Sequence, residues 1–299
     1  EPLWRHFDLI AGTSTGGIIA LGLALGIPAA TIRDLYETEG PGIFAQERKG
    51  FAGVMDRSVA SLRHLVWDTK YASERLRTAL EGVLSDRRLS EAKTRLMVPA
   101  FHPLTNTVYI YKTPHAGRLM TDYKAAALDV AMSTSAAPTY FRAHMTGQDV
   151  GLVDGGVWAN NPTGIAVVEA IGTLGWPGTN LRILNVGCLD ETSELPATGS
   201  VLGMFLRKQL LSFFTEGQAL GSLGIAKILT GEVGGSGHTA IYRVSQPVPK
   251  DAYGLDNTRR IAALKDRAMV EARTMMPDVR SVFLSSTCSA FVPCHGATS

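Results

Sequence analysis

Residues 7–25 read FDLIAGTSTGGIIALGLAL, and the fold turns on them. The first five form a short apolar run of the kind that makes a buried strand. Residues 16–25 are apolar nearly all round, which predicts a helix buried on every side. Between the two lies Gly12-Thr13-Ser14-Thr15-Gly16, a match to G-x-S-x-G. That pattern marks a sharp strand-to-helix turn from which a nucleophilic serine projects. Glycines at 12 and 16 let strand and helix approach each other closely. The Ser14 hydroxyl then sits at a helix N-terminus, where the macrodipole favours developing negative charge. The Thr15 N–H is placed to donate to an oxyanion. A glycine-rich turn with a buried N-cap serine is the plainer reading of the same letters. The strand before and the helix after favour the catalytic one.

No charged residue occurs from Leu9 to Ile32. A membrane span needs about 20 predominantly apolar residues, and here Gly12, Thr13, Ser14, Thr15, Gly16, Gly17 and Pro28 interrupt the run. The segment reads as a turn between two buried elements, with no transmembrane segment. Residues 1–6 lack the basic start and apolar stretch of a signal peptide. The expected location is cytoplasmic, or peripheral at the membrane.

Outward from this stretch, helices and short apolar strands alternate. Residues 31–39 read as an amphipathic helix and 40–68 as a glycine-rich, charged surface excursion. Ser73–Leu84 carries Leu76, Leu80 and Leu84 at helical spacing. Residues 95–101 (RLMVPAF) and 107–112 (TVYIYK) alternate as strands, joined by a turn with Pro103 and Asn106. Further helices are expected at 123–133, 161–174, 201–229 and 258–276, and further strands at 151–153, 181–187 and 240–245. This alternation predicts an α/β class, a three-layer α/β/α fold whose mostly parallel central sheet is covered on both faces. One domain over residues 1–299 is expected, ending in a C-terminal tail from about residue 280.

Composition narrows the function. Hydrophobic residues make up 45% of the 299 and charged residues 19%, which supplies a core and excludes disorder. Lys and Arg number 29 against 27 Asp and Glu, and no basic run exceeds two residues, so no nucleic-acid partner is expected. Three cysteines build no disulfide scaffold. Cys288, Cys294 and His295 lie close together, but no second ligand pair accompanies them, and no metal site is assigned. No cofactor is expected.

A nucleophilic serine needs a base. Val153-Asp154-Gly155-Gly156 places an aspartate after an apolar strand and before two glycines that support a tight turn. In open α/β sheets ligands bind beyond the carboxyl ends of strands, where Ser14 and Asp154 can meet. An Asp-Gly turn closed by the aspartate's own side chain is the structural alternative.

GTSTGG at residues 12–17, TSAAPTYF at 134–141, and DGG with NNP within 154–162 follow one another in that order. In this the chain resembles the patatin-like phospholipase family, from Phe7 to about Met276. The segment Leu255-Asp256-Asn257 and the helix after it resemble the C-terminal end of such domains. The resemblance implies a patatin-like fold and a Ser-Asp dyad. Asp154 would act as general base on Ser14, Ser14 would attack the ester carbonyl of a glycerolipid, and water would release the fatty acid from an acyl-enzyme. Neither histidine nor metal would be needed. The partner implied is phospholipid or another glycerolipid at a membrane surface, hydrolysed without calcium, since the sequence offers no oxygen-rich calcium loop. Bacterial members of such a family also serve as effectors released by a signalling nucleotide, and no residue here identifies such a trigger.

Patatin-like domains carry a glycine-rich loop upstream of the elbow that supplies most of the oxyanion hole. Thirteen residues precede Ser14, and the expectation is a domain lacking its first strand and that loop. Two other readings stay open. One is an α/β-hydrolase esterase with a Ser-Asp-His triad, using His238 or His295. The other is a non-catalytic lipid-binding or regulatory module, suggested by the absent loop. Asn160-Asn161-Pro162 is expected to cap a helix, Tyr140 and Phe141 to line an acyl pocket or pack in the core. Leu206, Leu210, Phe213 and Phe214 form an apolar stripe that is either core or lipid-facing.

Overall fold

The computed structural model describes residues 1–44, 73–138, 140–192, 209–232, 234, 237–249 and 258–296. The decisive stretch forms strand β1, Leu9–Ala11, and helix α1, Thr15–Ala24. After it come α2 (Ala29–Ile43) and α3 (Ser73–Leu84), then β2 (Arg95–His102) and β3 (Thr107–Lys112). Helix α4 (Ala127–Ser135) leads to the short β4 (His144–Met145) and to β5 (Gly151–Asp154). A single-turn helix α5 (Gly156–Ala159) precedes α6 (Thr163–Gly172). Strand β6 (Ile183–Thr192), α7 (Gln209–Thr230), β7 (Ile241–Pro249) and α8 (Ile261–Val282) complete the order. The expected surface excursion falls largely on residues 45–72, and Leu255-Asp256-Asn257 on residues 251–257, both outside the described residues.

Strand β2 organises the main sheet. Antiparallel β3 pairs with it from Met97 to His102. The other edge of β2 is shared by two strands. Parallel β1 occupies the start, with Ala11 opposite Met97, and antiparallel β5 occupies the end, with Asp154 opposite Ala100. The two strands therefore run head to head along one edge and stop three residues apart, about 10 Å at the rise of a strand. Pro99 lies in the gap between them. A proline has no N–H for a ladder, and here it falls where no strand pairs on that edge.

The sheet is thus mixed. The parallel pairs are β1–β2 and, in a separate two-stranded sheet, β6–β7. The β2–β3 hairpin is antiparallel because four residues are too few for a crossover. Leu96, Val98 and Ala100 of β2 bury one face against α1 to α4, in a core with Leu21, Leu80, Leu84 and Val130. Met97, buried on the opposite face, shares that face with Lys112, which meets α6. Helices on both faces give the three-layer α/β/α arrangement. Leu76, Leu80 and Leu84 are all buried, as their spacing requires. A smaller cluster of Val167, Ala226, Ala240 and Ile241 joins α6, α7 and β7. Among the described residues no helix is long and apolar enough to cross a membrane.

Candidate active site

Ser14 has φ 57° and ψ −129°, a conformation rare for a residue with a side chain. It costs about 1–3 kcal/mol and persists only where its surroundings impose it. They do so here from three sides. The Gly12 N–H donates to the Met97 carbonyl at 3.2 Å, tying the start of the turn to β2. The Ser14 carbonyl accepts from Gly17 and Ile18 at 2.9 and 3.1 Å, tying its end to α1. The Ser14 N–H donates to Thr134 Oγ1 at 3.0 Å. Neighbouring Thr13, buried, donates its hydroxyl to the Ala159 carbonyl at 2.7 Å.

The glycines divide their work differently from expectation. A Cβ on Gly12 would collide with the Gly16 carbonyl, so close strand-helix approach does require glycine there. At Gly16 a Cβ would point into open space. The second steric requirement falls on Gly17, where a Cβ would come within 2.7 Å of the Thr134 methyl. Ser14 takes the N-cap position of α1, yet its hydroxyl makes no capping hydrogen bond. The plain N-cap reading of the motif therefore fails. Thr15 and Gly16, exposed at the first turn, carry N–H groups with no acceptor inside the helix.

Asp154 ends β5 and is 4% exposed. Its N–H donates to the Ala136 carbonyl at 3.0 Å, and its Oδ1 accepts the Gly156 N–H at 2.7 Å. That second bond is the Asp-Gly turn closure foreseen as an alternative. It does not exhaust the carboxylate, whose acidity Ser14 also influences. Burial pushes the Asp154 carboxyl up to about 6, against the opposing pull of Ser14 and of the Gly156 amide. Gly155 is needed because a Cβ would strike the Pro99 carbonyl, and at Gly156 a Cβ would sit 3.1 Å from Asp154 Oδ1. The structure thus brings Ser14 and Asp154 together through head-to-head strands on one edge of β2, rather than through the shared carboxyl ends of parallel strands. A carboxylate held near neutrality beside a serine hydroxyl can take that hydroxyl's proton.

Five histidines are bonded to other groups. His115 contacts Glu169, His144 contacts Asp129, His6 the Ser286 carbonyl, His102 the Thr105 hydroxyl and His295 the Gly117 carbonyl. The groups acting on Asp154 are Ser14 and Gly156, and neither is a histidine. Asn161 is buried and works as the expected cap: its Oδ1 accepts the Thr163 N–H at 3.1 Å and the Asn185 amide at 3.2 Å. Phe141 is buried in the core, 6.3 Å from the Phe44 ring, so it serves packing rather than an open acyl pocket. Of the apolar stripe, Leu206 and the side chains of Leu210 and Phe213 lie outside the described residues, and Phe214 is 61% exposed. Among the described residues no cluster of three or more His, Cys, Asp or Glu side chains is placed to hold a metal.

Sequence reasoning gave no role to Thr134 or Pro99. Thr134 stands at the head of TSAAPTYF, and Pro99 interrupts an otherwise apolar strand. A proline inside a strand was the available signal.

A strained serine at a strand-to-helix turn and a buried aspartate thus stand at the facing ends of two strands on one edge of β2, within a three-layer α/β/α frame. Comparison with known proteins agrees with that fold. The family model for patatin-like phospholipase matches residues 3–167. The chain belongs to the patatin-like phospholipase family, which is a family of lipid hydrolases. It is 34% identical over 197 residues to a cGAMP-activated phospholipase of Vibrio cholerae, covering 64% of this chain and 55% of that protein. A cGAMP-activated phospholipase of Escherichia coli is 32% identical over 197 residues, 64% of this chain and 52% of its own. Patatin-like protein 1 of Oryza sativa subsp. indica is 37% identical over 180 residues, 55% of this chain and 41% of its own. The chain spans about half the length of the curated relatives it matches.

Proposed function

We propose that this protein hydrolyses fatty acyl esters of glycerolipids, with phospholipase A-type chemistry, through a dyad of Ser14 and Asp154. Asp154 takes the proton of the Ser14 hydroxyl as Oγ attacks the ester carbonyl. The same carboxyl returns the proton to the departing lipid alkoxide, which leaves an acyl-enzyme. Water then repeats the sequence: Asp154 removes its proton, the new C–O bond forms, and the proton passes back to Ser14 as the fatty acid departs. The Thr15 N–H donates to the oxyanion formed at each attack. The observation that carries this reading is a strained serine and a buried aspartate at the facing ends of β1 and β5 on one edge of β2, with the carboxyl pushed up to about 6 by burial. At an ordinary value near 4 an aspartate is a weaker base for this step.

The substrate lies at a membrane surface, which the protein meets as a peripheral enzyme, and no calcium takes part. Three of the relatives carry names that specify activation by cGAMP, so assays belong both with and without that nucleotide. The test is hydrolysis of phospholipid vesicles and of p-nitrophenyl acyl esters by the parent protein, Ser14→Ala and Asp154→Asn. Loss in both variants, with activity retained in His238→Ala and His295→Ala, supports the dyad. Loss in either histidine variant with survival of Asp154→Asn supports the triad instead.

A further inference from the structure

The last turn of α4 touches both members of the proposed pair. Thr134 Oγ1 accepts the Ser14 N–H at 3.0 Å. Two residues on, the Ala136 carbonyl accepts the Asp154 N–H at 3.0 Å. One stretch of three residues, 134–136, therefore holds the main chain of the serine and the main chain of the aspartate. No other described segment is bonded to both.

The Thr134 hydroxyl is itself fixed. It is fully buried, and it donates its single proton to the Pro99 carbonyl at 2.6 Å. With that proton committed, only a lone pair remains to face the Ser14 N–H. Pro99 lies in the gap between the ends of β1 and β5, where its carbonyl has no strand to pair with on that edge. The threonine hydroxyl occupies that gap and satisfies one acceptor of β2 and one donor of the elbow together. The threonine methyl sits where a side chain on Gly17 would have to go, which locks the rotamer from the other side.

We propose that Thr134 is a positioning residue for the reaction. Its hydroxyl holds the Ser14 main chain in its left-handed conformation and, through the same turn of α4, fixes the reach from Ser14 to Asp154. This rests on the reading of Ser14 and Asp154 as nucleophile and base. A buried threonine that merely satisfies its hydroxyl would stabilise the fold without setting that reach, and the two roles separate by experiment.

Thr134→Val keeps the shape and removes the hydroxyl, whereas Thr134→Ser keeps the hydroxyl and removes a methyl. The full chain of each is assayed with vesicles of phosphatidylcholine and with a p-nitrophenyl ester, and its labelling by a fluorophosphonate is timed. Thr134→Val is expected to lose about 10²-fold in kcat with KM within about twofold, since misplacement of a reacting group costs turnover more than binding. Its labelling rate should fall by a similar factor. Thr134→Ser should stay within about threefold of the parent. The acid limb of the Thr134→Val pH profile should move upward, because Ser14 is one of the groups that hold the Asp154 carboxyl down. Thermal melts confirm folding, and Thr134→Ala, which leaves no methyl to clash, replaces Val if that variant does not fold. A kcat for the hydroxyl-free variant less than tenfold below that of Thr134→Ser overturns the proposal. If Ser14→Ala retains activity in the same assay, the nucleophile reading fails first. If Ser14→Ala is inactive and Thr134→Val is not, only the positioning role fails.

Discussion

Asp154 and Glu169 are buried to nearly the same depth, 4% and 5% exposed, and their acidities diverge. Burial lifts the Asp154 carboxyl to about 6, because its partners are a hydroxyl and an amide and carry no charge. Burial acts on Glu169 in the same sense, but hydrogen bonds from His115 and Lys112, and the lysine's charge, outweigh it and hold the carboxyl down at about 2. Glu169 projects from α6 to Lys112 Nζ at 2.6 Å and His115 Nε2 at 3.0 Å. Depth alone therefore says little about what a carboxylate does. The charge of the neighbours decides whether it pins a helix to a sheet or waits as a base. On the proposed reading, one corner of the molecule is arranged for stability and the other gives up stability for chemistry.

The largest effect expected from this contrast is on turnover. Ser14→Ala or Asp154→Asn should each reduce hydrolysis by roughly 10³-fold or more, because a nucleophile and its base act as a unit. Glu169→Gln should leave turnover within a few-fold below its melting temperature, and a loss comparable with Asp154→Asn would erase the distinction between the two corners.

Stability separates them next. The Glu169 carboxyl falls from its ordinary 4.5 to about 2 on folding, so its contribution is present above 4.5 and is lost as pH falls through 2. At about 1.4 kcal/mol per pH unit this amounts to about 3 kcal/mol at neutral pH. Glu169→Gln should lose that amount in a urea titration near neutrality and much less in acid. Asp154 has the opposite sign. Its carboxyl rises from 3.8 to about 6, so it stabilises the fold most below 3.8 and loses that advantage as pH rises through 6. Asp154→Asn should therefore stabilise the protein by up to about 3 kcal/mol near neutrality, a rise of several degrees in Tm, and change little in acid. A destabilised Asp154→Asn at neutral pH would show that the aspartate is structural.

Smaller effects sharpen the boundary. Asn161→Ala removes the acceptor shared by Thr163 and Asn185 and should cost about 1–3 kcal/mol, read by thermal melting, with kcat nearly unchanged. Removing divalent ions with EDTA should change the hydrolysis rate least of all. A large drop that calcium restores would contradict the metal-free reaction.

How much of this was legible in the sequence follows from distance along the chain. The strand-to-helix turn at Ser14 was, because strand, glycine, serine and helix are consecutive and their periodicity is local. Ser73–Leu84 was, because three leucines at helical spacing admit little else. The four-residue helix Gly156–Ala159 was not, since one turn shows no period. The direction of β5 was not, because strand polarity is set by pairing with β2, and its antiparallel course is what turns Asp154 toward Ser14. Glu169 was invisible for the same reason: His115 and Lys112 lie 54 and 57 residues from it in sequence. Thr134 was visible as a letter in a motif, but its role depends on a gap in a sheet edge that no spacing reveals.

The most direct test of the central claim is the pH dependence of kcat/KM in the parent protein and in His238→Ala and His295→Ala. The limb should rise with pH through an apparent value of about 6, the value burial gives Asp154, because the base must be ionised to act. It should keep that position in both histidine variants, and activity should be absent in Asp154→Asn across the whole range. A limb that shifts or vanishes when either histidine is replaced, or an Asp154→Asn variant that still turns over with the parent's profile, would contradict the account.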